Sequence, residues 1–183
     1  MKLKINMKSL SLLIFISGFT FAQKIKVSEI DPFNNKRKIE TSFEKLTSSS
    51  LMAGMGTGKT AFIAFLEEND RQFLRIKWTT NELLAIDKNA PIILLDSEGI
   101  SHTYKSSELS IAGIGAGATG MFGIQLFGLD LYAEGNLAEL DGKKITDIRL
   151  HTIEGYVDLK VEKKRQEVVA KTYLIFKEEQ SKR

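Results

Sequence analysis

The chain has no cysteine. That excludes a disulfide scaffold, a thiolate metal centre and a cysteine nucleophile at a stroke. It has two prolines, one tryptophan and two histidines in 183 residues. Two histidines far apart, His102 and His151, have no second histidine or carboxylate at ligand spacing, so nothing in the sequence points to a metal site. The G-x-S-x-G pattern of a nucleophile elbow is absent. Disorder is excluded by composition: 43% of residues are hydrophobic and 27% charged, as in globular domains.

A surplus of one charge is also missing once the first 22 residues are set aside. Lys2, Lys4 and Lys8 form a basic n-region, Leu10 to Phe21 an apolar run, and Thr20 and Ala22 the small residues that signal peptidase requires. The apolar run is short of the roughly 20 residues that span a bilayer. The expectation is a cleavable signal peptide over 1–22, cut before Gln23, and export to the periplasm or the exterior. The formal charge of +3 then belongs to the three leader lysines, because 23 basic residues face 23 acidic ones in 23–183. A basic stripe able to displace many phosphate counterions is not present, so no nucleic-acid partner is expected. Gln23 to Lys38 is basic, Ile39 to Gly142 acidic, and Lys143 to Arg183 basic again.

What is there reads mainly as strands. Lys38 to Leu46 alternates, with Ile39, Thr41 and Phe43 expected on one face. Thr60 to Leu66 and Gln72 to Thr79 flank Glu67-Glu68-Asn69-Asp70 as a hairpin. Ile92 to Leu95 and Ile100 to Ser106 flank the turn Asp96-Ser97-Glu98-Gly99. Ile124 to Tyr132 alternates, and Ile145 to Thr152 and Tyr156 to Val161 form a third hairpin around Ile153-Glu154-Gly155. Trp78, within the first hairpin, is assigned to the core. Asn136 to Leu140 reads as a short helix. A longer one over about 162–180 places Val168, Val169, Thr172, Tyr173, Ile175 and Phe176 on one broad face. The expected fold is mainly β (α+β), a single domain over 23–183. It is an antiparallel sheet, sandwich or open barrel with the C-terminal amphipathic helix packed on it.

Three stretches imitate functional motifs. Ala53-Gly54-Met55-Gly56-Thr57-Gly58-Lys59-Thr60 fits a relaxed P-loop, and Ile92-Ile93-Leu94-Leu95-Asp96 resembles the strand and aspartate that bind magnesium in P-loop enzymes. Gly58, Lys59, Thr60 and Asp96 are thus the candidate residues of a nucleotide hydrolase. The flanks oppose it: Lys45 to Met52 is polar where a buried strand is needed, and Ala61 to Leu66 reads as strand where a helix is needed. Gly115-Ala116-Gly117-Ala118-Thr119-Gly120 matches G-x-G-x-x-G but leads into a strand. Ser110 to Leu129 carries no charge over 20 residues and spaces small residues by four, the pattern of a packed membrane helix. Six glycines between Gly113 and Gly128 favour two strands joined by a glycine-rich crossover instead.

The chain resembles uncharacterised small exported proteins of Gram-negative bacteria. The residues that carry the likeness are Asp31-Pro32-Phe33, the basic run into Ile39 to Phe43, and Ile148-Arg149-Leu150-His151-Thr152 with Glu154-Gly155-Tyr156 before the terminal helix. The resemblance implies a β-rich exported domain and brings no activity and no site residues. The leading expectation is therefore a non-enzymatic exported domain with no cofactor, binding an envelope protein or ligand. A P-loop hydrolase and a membrane-inserted protein through 110–129 are the alternatives.

Overall fold

The computed structural model describes residues 24–33, 35–47, 60–80, 82–113, 118–121 and 124–182. Strand formation follows the period-2 pattern closely. In β4 (Thr60–Glu68) and β5 (Arg71–Thr80) the two arms meet in register from Thr60 opposite Thr79 to Glu68 opposite Arg71. Asn69 and Asp70 both have positive φ, 54° and 62°, which is the geometry of a two-residue type I′ turn. The strands therefore run through Glu67 and Glu68, which the sequence pattern assigns to the turn.

The remaining strands are β1 (Ile25–Ile30), β2 (Arg37–Thr41), β3 (Glu44–Lys45), β6 (Ala85–Ile86), β7 (Pro91–Asp96), β8 (Ser101–Ser106), β9 (Ser110–Ile111), β10 (Ala118–Met121), β11 (Ile124–Glu134), β12 (Ile145–Thr152) and β13 (Gly155–Lys160). The main sheet is ordered β1-β2-β4-β5-β11-β8-β7-β12-β13, with β10 beside β11 and β3 beside β4. Every pairing in it is antiparallel. β6 and β9 form a separate ribbon. Just past β13, the Glu162 amide donates to the Leu46 carbonyl and the Arg165 guanidinium to the Lys45 carbonyl, each at 3.0 Å. Lys45 lies in β3, near the opposite end of the sheet. The sheet thus curls back on itself and stays open, with β1 and β13 as its edges.

Helix α1 (Val168–Gln180) packs on this sheet. Val169, Thr172, Tyr173 and Phe176 are its buried residues, spaced to fall on one face. Phe176 stacks on Phe65 with ring centroids 5.7 Å apart, and Tyr173 meets Phe65 edge-on at 5.4 Å. Each fully buried ring of this kind contributes about 2–3 kcal/mol from area alone. The same core takes Ile63, Ile76, Trp78, Leu94 and Leu131 from the inner faces of four strands, β4, β5, β7 and β11.

Three local expectations are corrected. The helix does not begin at Glu162. Lys163–Arg165 is a 3-10 turn, and the Gln166 carbonyl accepts from the Ile145 amide (2.9 Å) instead of serving the helix, so the α-ladder starts at Lys171 N–H to Glu167 O. Leu137–Leu140 is likewise a 3-10 turn, capped by Asn136, whose side chain accepts from the Ala138 amide. Phe43 does not share the face of Ile39 and Thr41. The chain breaks at Ser42–Phe43 between β2 and β3, and Phe43 lies over the outer-face cations Arg75 and Lys77.

Candidate functional site

The residues singled out by motif are dispersed. Gly58 and Lys59, with Gly54 and Gly56, lie outside the described residues. Thr60 is the first residue of β4, so a strand follows Lys59 where the phosphate-binding motif needs a helix. Asp96 ends β7, and β5, β11 and β8 stand between β4 and β7 in the sheet. In the second glycine-rich stretch Gly115 and Gly117 are outside the described residues, and 118–121 is strand β10. Gly113 has φ +84° and its amide donates to the Gly128 carbonyl at 2.8 Å; a Cβ there would sit 3.0 Å from the Phe127 ring. The glycine serves a close approach of chain to chain. Within 110–129, Ser110–Ile111, Ala118–Met121 and the residues from Ile124 on are strand and Ala112 and Gly113 form a turn, and among the described residues no helix is long and apolar enough to cross a membrane.

Two clusters of charged side chains do form, and neither corresponds to a motif. The first is at the tip of the β7–β8 hairpin. The turn Asp96 to Gly99 closes with Gly99 at φ +81°. Asp96 is buried, and its Oδ1 accepts from the amides of Glu98 and Ile100, both at 2.9 Å. Its Oδ2 lies 3.1 Å from His102 Nε2 and 3.6 Å from Lys143 Nζ. Burial on its own would raise the pKa of this carboxyl. The Ile100 amide, the His102 ring, the Glu98 amide and Lys143 outweigh it and hold the pKa at about 2. Lys143 also bonds Glu98 Oε2 at 2.9 Å, and Glu139 from the 137–140 turn stands 3.5 Å from His102 Nδ1. Tyr104, next on the inner face of β8, donates its hydroxyl to the Asn136 carbonyl at 3.2 Å, and burial raises its pKa.

The second cluster lies on the outer face of β2, β4, β5 and β11 and centres on Arg75. Its Nε and Nη2 donate to the two oxygens of Asp130 at 2.9 and 2.6 Å, and its Nη1 donates to Glu40 Oε1 at 2.8 Å. Glu40 is on β2 and Arg75 on β5, with β4 between them. Opposite Arg75 on β4 stands Ala64, whose small side chain leaves the guanidinium room to reach across. Lys26 from β1 completes the coordination of Glu40 at 3.1 Å. Phe43 and Tyr132 flank the guanidinium with ring centroids 5.1 and 4.7 Å from its carbon, and Lys77 Nζ stands 4.4 Å from the centre of the Phe43 ring. Burial opposes the charge on Arg75, and the bonds to Asp130 more than compensate, so its pKa is raised.

A third feature is the tip of the β1–β2 hairpin. Asp31 closes it: its amide donates to the Lys36 carbonyl, its carbonyl accepts from Asn35, and its carboxylate accepts from the Phe33 amide, all at 2.8 Å. Pro32 and Phe33 are held out on this closed turn, with Phe33 96% exposed and Ile30 65% exposed beside it. A hollow of about 320 Å³ adjoins them, bounded also by Lys36, Lys38 and Glu68.

Chemically, the two charged clusters bind themselves. The Asp96 oxygens and the Arg75 fork have protein partners at hydrogen-bond distance, and among the described residues no group of three His, Cys, Asp or Glu is placed to hold a metal ion. The hairpin tip is the opposite case, apolar surface without packing. Sequence reasoning foresaw Asp96 as a turn residue and missed its pairing with His102. The usable signal was the turn itself, which brings residues six apart onto the same inner face of a hairpin. Compared with family models, with curated proteins and with solved structures, the chain matches none.

Proposed function

We propose that the chain is exported through its leader and works in the cell envelope as a non-enzymatic β-rich domain, bound peripherally to a partner protein. The observation that carries this reading is the leader: a basic start, an apolar run too short to span, and small residues at −3 and −1, in the right order. The self-saturated charge clusters support a structural use for the polar groups inside and on the sheet. The hairpin tip supplies a place for the partner, because an exposed aromatic on a pre-formed turn gives up contact area at little entropic cost.

The test is fractionation of a Gram-negative host expressing the full chain. The expected product is processed, sediments with the washed envelope and comes off in alkaline carbonate without detergent, and Phe33→Ser shifts it to the fluid released by osmotic shock. Retention in the cytoplasm at precursor mass would overturn the reading. So would turnover of any substrate by the purified mature protein in a broad hydrolase panel.

A further inference from the structure

A second surface, separate from the Phe33 hairpin, turns large apolar side chains to solvent. In the β6–β9 ribbon Ala85 stands opposite Ile111 and Ile86 opposite Ser110. Leu84, Ile86, Ser110 and Ala112 are buried, so by alternation the residues between and beside them point outward. Leu83, Leu109 and Ile111 are in that position and are between 38% and 70% exposed. The Ile153 amide donates to the Ala85 carbonyl at 3.0 Å, which brings the tip of the β12–β13 hairpin beside β6. Ile153 is exposed as well, so four aliphatic side chains share this end of the molecule. The Glu82 amide donates to Thr80 Oγ1 at 3.1 Å, which sets the patch at the Thr80 end of β5. The Phe33 hairpin is tied to the other end of β5 by Lys36 and Asp70, 3.0 Å apart. About 30 Å of strand separates the two.

Carboxylates rim the patch. Glu82 precedes Leu83, Glu108 precedes Leu109, Glu154 follows Ile153, and Asp87 follows the buried Ile86. All four are exposed, and among the described residues none of them forms an ion pair. The carboxylates around the Phe33 hairpin differ: Glu68, Asp70 and Glu179 each hold a lysine or arginine. The imbalance is built into the sequence, since 82–113 carries five acidic residues and two basic ones.

We infer that this patch docks a cationic segment of a partner protein, one in which lysine or arginine flanks an aliphatic or aromatic anchor. The anchor packs on Leu83, Ile111 and Ile153, and the cations pair with Glu82, Glu108 and Glu154. Charge complementarity selects this occupant. Uncompensated carboxylates around an apolar centre repel the phosphates of an anionic membrane or of a nucleic acid and attract a basic chain. The desolvated anchor carries the affinity, as the centre of an interface does, and the rim pairs set association rate and salt dependence. The inference goes beyond the export reading and depends on neither the leader nor Phe33.

The test uses the purified protein and a short fluorescent peptide of alternating leucine and lysine. A counterpart carries glutamate for each lysine, and binding is read by fluorescence anisotropy. The lysine peptide is expected to bind and the glutamate peptide not to. Ile111→Ser and Leu83→Ser each weaken binding about tenfold. Glu154→Gln weakens it about two- to fivefold, the scale of an exposed ion pair. Added salt weakens the wild type more than a variant with Glu82, Glu108 and Glu154 all changed to glutamine. Leu174→Ser removes an exposed leucine on α1 and leaves binding unchanged. Thermal midpoints of the variants match the wild type, because every altered side chain is exposed. No binding of the lysine peptide overturns the inference, and so does equal binding of both peptides. A loss in Leu174→Ser as large as in Ile111→Ser overturns it too. Sedimentation with anionic vesicles that Ile111→Ser abolishes assigns the patch to a membrane and overturns it. A concentration-dependent dimer that Ile111→Ser abolishes assigns the patch to a second copy and likewise overturns it.

Discussion

Replacing Arg75 by alanine tests whether the outer-face network is part of the fold or a solvated decoration. The substitution removes three charge-assisted hydrogen bonds at 2.6–2.9 Å and two ring contacts. It strands Glu40, whose side chain is 5% exposed, with Lys26 as its remaining cation, and Asp130, 22% exposed, with Lys77 at 3.7 Å. Removing one member of a buried ion pair costs about 3–5 kcal/mol, chiefly because the other charge is left desolvated. Partial exposure of Asp130 places Arg75→Ala near the lower end, about 3 kcal/mol. For a domain of this size that is a fall of roughly 6–12 °C in thermal midpoint. The assay is urea unfolding followed by Trp78 fluorescence, since Trp78 is the one tryptophan and is buried. An unchanged m-value shows that stability alone moved. Arg75→Lys keeps the charge and loses the fork, so it falls between wild type and alanine. Glu40→Gln added to Arg75→Ala recovers part of the loss, because the stranded charge is gone. A loss below about 1 kcal/mol for Arg75→Ala, the value of an exposed pair, would falsify the argument and class the cluster as surface.

Two further outcomes follow from the inner face. Asp96 has its pKa lowered from 3.8 to about 2, so its charged form stabilises the fold. That contribution is fully present above about pH 4–5 and is lost as pH falls through about 2. The stability gap between wild type and Asp96→Asn, measured by urea titration across this range, is expected to be constant at neutral pH and to shrink in acid; a gap that widens in acid refutes the assignment. Gly135→Ala places a Cβ 2.6 Å from Cδ1 and 3.1 Å from Cε1 of the buried Tyr104 ring. The ring must shift against a filled core and strain its bond to Asn136, at a cost of about 1–3 kcal/mol by thermal melting. No change in midpoint would show that the ring has room to move.

The legible parts of this fold are the ones whose physics is local. Alternation of Phe73, Arg75 and Lys77 with Leu74, Ile76 and Trp78 is a property of consecutive residues, and so is the turn chemistry of Asn69-Asp70 and Asp96 to Gly99. Those hairpins, and the apolar face of α1, could therefore be written down from the chain alone. Strand order could not. β11 comes to lie between β5 and β8, and the Arg75–Glu40 bond exists because that order puts β4, with Ala64 at the crossing point, between two partners 35 residues apart. No window of sequence contains that coincidence. Phe43 failed for a related reason: it continues the alternation of Ile39 and Thr41, but the strand breaks at Ser42, and period-2 reasoning has no meaning across a break. The formal motifs failed differently. A P-loop is a statement about a strand, a loop and a helix together, and Thr60 to Leu66 is strand-forming sequence whatever precedes it. His102 shows the converse error. A search for ligands at metal spacing passes over Asp96 six residues away, yet a four-residue turn returns β8 along β7 with Leu94 opposite His102, on the face Asp96 shares. The pairing was within reach of local reasoning, provided the turn was treated as geometry and not as punctuation.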